Sequence, residues 1–227
     1  MDAYAKFEAS LPFNRTLLAV MNEKIDEADE ATEGEGVLSL QALRKALPTA
    51  AWAPLNDPSS PLSMVLLSEH FKDASKGTPA DMVDVEIIKM YSLLHCVGTK
   101  MDKAKAFYGT LQEGGLEAHE QISAGDKDFE PVFDKLSALV TSNIFDLAKD
   151  HGGVAEIYDA GECKKLIDAD ALLELREDEW LEEVYGAQSR LDNAAWLAKV
   201  AKGADWLLNA DDLRVKLFAK AGISTRH

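Results

Sequence analysis

The sequence predicts an all-α fold of repeated helix–loop–helix units, joined by short β-bridges where two loops pair. Apolar residues recur at intervals of three and four along most of the 227-residue chain, as one buried helical face requires. Alternating apolar and polar residues, the pattern of a half-buried strand, are nearly absent. A short apolar stretch followed by a helix-capping residue also recurs at intervals near 40 residues, which indicates a duplicated helical unit.

Three segments have the clearest helical faces. Ser60 and Pro61 precede the first, and a capping residue followed by proline is typical of a helix start. Gly222 follows the third and is typical of a helix end. The apolar positions of the three faces are Leu62, Val65 and Leu66; Phe129, Val132, Phe133, Leu136, Leu139 and Val140; and Leu213, Leu217 and Phe218.

Residues 48–61 contain four of the seven prolines and predict an extended linker, because each proline disfavours helix in the residue before it. We expect Trp52 to anchor this linker on the core. The linker divides the chain into an N-terminal hand-like unit (1–47), a central pair of units (62–141) and C-terminal units (142–227).

The recurring stretches end in Ser, Asp or Asn, whose side-chain oxygens accept the free N–H groups at a helix start. These polar residues are 45, 39, 45 and 41 positions apart. We expect the aliphatic residue before each to form one rung of a β-bridge between paired loops. Gly125 and Pro131 follow the third stretch, so its helix must kink or start late, near Asp128. The stretches are Val37-Leu38-Ser39, Met82-Val83-Asp84, Gln121-Ile122-Ser123, Leu166-Ile167-Asp168 and Leu207-Leu208-Asn209.

The five stretches resemble loops of the EF-hand superfamily, in which an aliphatic residue at loop position 8 precedes a capping residue at position 9. Residues 82–88 look like the loop-exit segment of calcineurin-B-like and neuronal calcium-sensor proteins, and residues 103–108 are similar to the start of a following hand. The resemblance covers residues 14–222 and implies five hand-like units. The odd unit would pack on the N-terminal helix or pair with a second chain.

The loops lack most of the ligands that bind Ca²⁺, which are oxygens at positions 1, 3 and 5, Gly at 6 and Glu at 12. The first loop alone retains Gly36, with Glu33 and Glu35 at positions 3 and 5. We therefore expect a scaffold without ion sites and assign no metal ligand. Position 1 falls on Ala31, Lys76, Gly115, Ala160 and Ala201, and position 12 on Ala42, Ile87, Asp126, Ala171 and Asp212.

The acidic residues before and within the first loop leave a weak Ca²⁺ or Mg²⁺ site open as an alternative to a solvated acidic face. They are Asp26, Glu27, Asp29, Glu30, Glu33 and Glu35.

The overall charge of the chain makes binding to negatively charged partners unfavourable. A formal net charge of −16 opposes binding to nucleic acids and to anionic membranes, since both carry the same sign. The first ten residues lack the basic stretch and apolar run of a signal peptide, so we expect none, and Cys96 and Cys163 form no disulfide framework or zinc motif. We expect a soluble, cytoplasmic protein.

Motifs typical of enzymes are missing. The five histidines have no zinc-binding spacing, and the chain contains neither a phosphate-binding glycine loop nor a nucleophile elbow. We therefore assign no catalytic or cofactor-binding residue and expect no enzymatic activity. Trp180, Leu181, Val184 and Tyr185 predict a core face, with an aromatic groove for a partner helix as the alternative.

These patterns predict a non-catalytic adaptor or structural subunit that binds another protein without Ca²⁺. Two alternatives stay open: a calcium sensor or buffer with nonstandard loops, and a helical enzyme or small-ligand carrier.

Overall fold

The computed structural model describes residues 3–73, 77–113, 121–125, 129–141 and 167–223. The chain forms two compact units, one of Tyr4–Val97 and the other of Gly98–His227 with Met1–Ala3. We call them the N-terminal and C-terminal units. Their boundary lies inside residues 62–141, the range predicted as a central pair, so the first two predicted loops share one unit and the third belongs to the other.

The N-terminal unit is helical apart from two short strands, and its helix α4 begins at a predicted cap. The Ser60 hydroxyl accepts the N–H of Ser63 at the start of α4, as the sequence predicts. The elements are α1 (Ala3–Ser10), a 3₁₀ helix (Pro12–Arg15), α2 (Leu18–Glu30), β1 (Val37–Ser39), α3 (Leu40–Ala46), a 3₁₀ helix (Ala50–Asn56), α4 (Pro61–Leu67), a 3₁₀ turn (Glu69–Phe71), β2 (Met82–Asp84) and α5 (Val85–His95).

Strands β1 and β2 pair antiparallel, with Leu38 opposite Val83. Both side chains are fully buried, which sets the register because a slip of one residue would expose them. The Ser39 side chain accepts the Ala42 N–H and caps α3. The Asp84 side chain caps α5 in the same way. The first two predicted stretches are thus confirmed as strand and cap, and their loops pair with each other.

Residues 48–61 are not the extended linker that their prolines predict. They contain the 3₁₀ helix Ala50–Asn56, in which Pro54 fits because a short 3₁₀ segment needs few backbone donors. The Trp52 side chain is 2% exposed and packs edge-to-face on Phe13, with ring centroids 4.9 Å apart. The anchoring role expected for Trp52 is confirmed, and the segment belongs to the core of the N-terminal unit.

The C-terminal unit is also helical with two short strands. A single helical segment changes to π-helical hydrogen bonding over Leu175–Leu181 between α8 and α9. The elements are α6 (Lys100–Glu113), β3 (Gln121–Ser123), α7 (Phe129–Val140), α8 (Ala169–Glu174), α9 (Glu182–Tyr185), β4 (Arg190–Asp192), α10 (Asn193–Lys202), a 3₁₀ helix (Asp205–Leu208) and α11 (Ala210–Lys220).

Strand β3, the third predicted stretch, pairs antiparallel with β4, and Ile122 lies opposite Leu191. Its following helix starts at Phe129, the late start that Gly125 and Pro131 predict. The strand prediction is wrong for the two last stretches. Ile167 lies in no strand and is followed by Asp168, which caps α8, and Leu207 and Leu208 lie in a 3₁₀ helix before Asn209, which caps α11. Leu166 lies outside the described residues.

Aromatic side chains form the core of the C-terminal unit. Trp180 and Trp196 are at most 1% exposed, and their rings contact Phe107 and Phe129 at centroid distances of 5.5–6.3 Å. Val184 and Tyr185 are also buried, and Leu181 is half-buried. The prediction of a core face is confirmed, so these aromatic residues do not line an open groove. Over the parts of the chain with described structure, no helix has the length and apolar composition needed to cross a membrane.

Glu179, Lys216 and Lys220 form a charged cluster at the surface of the C-terminal unit. The Glu179 carboxylate accepts hydrogen bonds from Lys216 at 2.7 Å and Lys220 at 3.1 Å. Partial burial alone would raise the pKa of Glu179, but the two ammonium groups lower it below its ordinary value of 4.5.

We expect Glu179→Gln to reduce the acid sensitivity of the C-terminal unit. A carboxylate with a lowered pKa stabilises the folded state above its unfolded pKa, and this contribution is lost as the pH falls through the folded value. The wild-type protein should therefore lose about 1 kcal/mol more than the variant below pH 4.5, since the group is partly solvated. Urea unfolding at pH 7 and at acid pH measures the difference. Equal acid losses in both proteins would contradict the expectation.

Candidate cation-binding loops

The first loop, between α2 and β1, is closed by a hydrogen bond that the loop spacing does not predict. The Asp29 carboxylate accepts the Gly36 N–H at 3.0 Å, although the predicted position 1 is Ala31. Gly36 has a φ of 72°, a conformation that glycine adopts without strain. The turn predicted at Gly36 is therefore confirmed. The acidic residue that holds this turn is Asp29, which lies before Ala31, the residue at which the counted loop begins.

The acidic side chains of this loop do not converge. Glu33 and Glu35, at predicted positions 3 and 5, are both exposed to solvent. Ala42 at position 12 offers no carboxylate, and its N–H is used by the Ser39 cap. Across the described ranges, no three His, Cys, Asp or Glu side chains are grouped so that they could hold a metal ion. The Glu33 and Glu35 carboxylates therefore lie in solvent in this structure.

The second loop, between α4 and β2, contains a buried lysine. Lys72 is 9% exposed, and its ammonium donates hydrogen bonds to the carbonyl oxygens of Ala80, at 2.8 Å, and Met82. Burial lowers the pKa of Lys72, whereas the carboxylates of Glu69 and Asp81 act to raise it. The predicted position 1 of this loop, Lys76, lies outside the described residues. The Lys72 ammonium therefore lies against the two backbone carbonyls of this loop.

The loops of the C-terminal unit end at β3 and β4. The Ser123 hydroxyl accepts the Gly125 N–H at 3.3 Å. Asp192 caps α10 by accepting the Ala195 N–H at 2.7 Å, a cap that the spacing near 40 residues does not predict. Counting from Asp192, position 12 is Ala195 and position 5 is Gln188, so this loop offers no carboxylate at these positions. Predicted positions Gly115, Asp126 and Ala160 lie outside the described residues.

The remaining candidate groups have structural surroundings. Cys96 is buried, and Asp168 is a helix cap. The Nε2 atom of His95 lies 3.6 Å from the buried Glu8 carboxylate, and its ring contacts that of Tyr91 at a tilt of 38°, with centroids 4.2 Å apart. Arg214 is 2% exposed and donates to the Val140 carbonyl at 2.8 Å, which ties α11 to α7. Cys163, His119, His151 and His227 lie outside the described residues.

The loops thus combine strand pairing and helix capping with a carbonyl-bound ammonium and dispersed carboxylates. Comparison with models of known protein families, with curated proteins and with solved structures finds nothing that matches this chain.

Proposed function

We propose that this chain is a degenerate, EF-hand-like protein that acts without Ca²⁺ as an adaptor or structural subunit of another protein. The observation that carries the proposal is the antiparallel pairing of two loops in each unit, β1 with β2 and β3 with β4. A short bridge between loops, each followed directly by a capped helix, is the arrangement that the resemblance implies for paired hands. In the C-terminal unit, Asp192 of β4 caps the helix that follows it directly.

The loop chemistry supports the absence of a Ca²⁺ requirement. A calcium loop needs several converging oxygen ligands, among them a bidentate carboxylate at position 12. Ala42 and Ile87 occupy that position in the two loops of the N-terminal unit. Both loops are instead closed by internal hydrogen bonds, from Gly36 to Asp29 and from Lys72 to backbone carbonyls. These bonds maintain the loop shape without an ion.

We expect Ca²⁺ to leave the stability of the protein unchanged. A ligand that binds only the folded state raises the midpoint of unfolding, so a loop without a site gives no shift. Thermal unfolding with excess EGTA and with millimolar Ca²⁺ should give the same Tm, and isothermal titration should detect no micromolar binding. Mg²⁺ at the same concentration controls for ionic strength.

The alternative of a nonstandard calcium sensor predicts the opposite result. Micromolar Ca²⁺ binding with a raised Tm would overturn the proposal. The double variant Glu33→Gln, Glu35→Gln would then locate the site, because it removes the two acids at predicted ligand positions while keeping Gly36 and the Asp29 bond. Loss of binding in this variant would place the ion in the first loop.

The adaptor role predicts that partner binding is insensitive to chelation. Cross-linking and co-purification of the tagged full chain should recover the same protein, in the same amount, with EGTA and with Ca²⁺. Recovery that depends on Ca²⁺ would contradict calcium independence, and recovery of no protein at stoichiometric amounts would contradict an adaptor. A positively charged partner surface is favoured by the net charge of −16.

A further inference from the structure

One of the two carbonyls that bind Lys72, that of Met82, lies where a calcium loop binds its ion through the backbone. With Asp84 at loop position 9, Met82 is position 7 and Ala80 is position 5. Position 7 binds Ca²⁺ through its backbone carbonyl oxygen. In this chain the Met82 carbonyl accepts a hydrogen bond from the Lys72 ammonium instead. We infer that the second loop is a cation site filled permanently by the Lys72 ammonium, which replaces the divalent ion.

The burial of this ammonium gives the arrangement a physical reason. A buried charge is costly unless it is paired or hydrogen-bonded. The Lys72 side chain meets this requirement with the two carbonyls, and the carboxylates of Glu69 and Asp81 add favourable electrostatic interaction. Conversely, the partial negative charges of the two carbonyl oxygens would lie close together without a cation between them. The ammonium and the loop therefore stabilise each other.

The Lys72 ammonium joins the segment that follows α4 to the start of β2. Met82 is the first residue of β2 and pairs with Ser39, the cap of α3. Lys72 comes directly after the 3₁₀ turn Glu69–Phe71 that follows α4. Its side chain thus connects the end of the incoming helical segment to the start of the strand, across a separation of 10 residues. A bound calcium ion makes the same kind of connection between the two ends of its loop.

This inference rests on the EF-hand-like architecture proposed above and gives calcium independence a mechanism. An ion supplied from solution binds only above a certain concentration, whereas the ammonium is attached to the loop and is always present. Its positive charge also repels a divalent cation from the same carbonyls. The site would accept a small primary ammonium ion once the lysine side chain is removed.

Chemical rescue tests this assignment. We expect Lys72→Ala to lower the Tm by about 4–8 °C and methylammonium chloride to restore part of that loss, because the small ammonium can enter the vacated site. Tetramethylammonium chloride at equal concentration controls for salt, since it has no N–H donor. Lys72→Met should lose stability without rescue, because its side chain fills the site but carries no charge. Lys45→Ala removes an exposed lysine of α3 and should behave as wild type with both salts.

A measurement on the wild-type chain keeps the test decisive if a variant fails to fold. Nuclear magnetic resonance of the protein labelled with both ¹³C and ¹⁵N should show a slowly exchanging Lys72 ammonium signal with couplings across the hydrogen bonds to the carbonyl carbons of Ala80 and Met82. A Lys72→Met variant as stable as wild type, or a rapidly exchanging Lys72 ammonium without such couplings, would overturn the inference.

The two proposals fail in different ways. Stabilisation of the wild-type chain by Ca²⁺, together with methylammonium rescue of Lys72→Ala, would reject calcium independence and retain the ammonium site. Calcium insensitivity of the wild-type chain, together with a Lys72→Ala variant that responds equally to both ammonium salts, would reject the ammonium site alone.

Discussion

Replacement of Trp52 by alanine is expected to destabilise the N-terminal unit by about 3–5 kcal/mol. The indole is 2% exposed and contacts Phe13 edge-to-face, and Phe13 in turn contacts Tyr91 of α5. Removing it leaves a cavity between the 3₁₀ helix Ala50–Asn56 and the rest of the core, which the surrounding rigid side chains cannot fill. Urea unfolding followed by far-ultraviolet circular dichroism measures the loss.

Two matched variants make this result specific. Trp52→Phe keeps an aromatic ring on Phe13 and should lose clearly less stability than Trp52→Ala. Ala53→Ser alters the exposed neighbouring residue and should stay within about 0.5 kcal/mol of wild type. A loss below about 1 kcal/mol for Trp52→Ala would show that residues 48–61 form a dispensable connection, as their prolines alone predict.

Replacement of Trp180 by alanine is expected to destabilise the C-terminal unit by a similar amount, about 3–5 kcal/mol. The Trp180 ring lies against Phe107, Phe129 and Trp196 and is 1% exposed. Its Nε1–H also donates to the Ala204 carbonyl at 3.2 Å, so truncation removes both packing and a buried hydrogen bond. Urea unfolding and hydrogen exchange of the α10 amides measure the global and local effects.

The hydrogen bond and the packing can be separated. Trp180→Phe retains most of the apolar contact but removes one of two hydrogen bonds to the Ala204 carbonyl, which still accepts the Leu207 N–H at 3.4 Å, at a cost of about 0.5–1.5 kcal/mol. Leu173→Ala removes an apolar side chain that is 47% exposed on α8 and should have little effect. If Trp180→Ala were no more destabilising than Leu173→Ala, Trp180 would not belong to the core, and the alternative of an aromatic groove would regain support.

Helix starts were predictable because they depend on neighbouring residues. Ser39, Asp84, Asp168 and Asn209 each accept N–H groups two or three residues further along the chain. Such a bond forms wherever a short polar side chain precedes a helical pattern, whatever the rest of the fold does. The prediction of caps is therefore confirmed at these four of its five positions, and the helix start after Ser123 includes residues outside the described ranges.

Strand pairing was predictable only in part, because a two- or three-residue strand exists only where another strand faces it. Leu191-Asp192 has the same aliphatic-plus-cap pattern as the predicted stretches and forms β4 opposite β3. It was missed because Asp192 follows Asp168 by only 24 residues, which breaks the spacing near 40. Conversely, Leu207-Leu208 has the pattern but lies in a 3₁₀ helix, since no described strand pairs with it there.

Local chemistry thus specified the helical fold class, the caps and the turn at Gly36, since each depends on residue types within a few positions. Packing specified which loops pair, that residues 48–61 join the core, and that Lys72 reaches the carbonyls of Ala80 and Met82. Each of these outcomes depends on the distance in space between residues separated along the chain, and burial makes those contacts favourable. A lysine near a loop is ordinarily a solvated charge, and only its burial against two carbonyls distinguishes it as the cation of that loop.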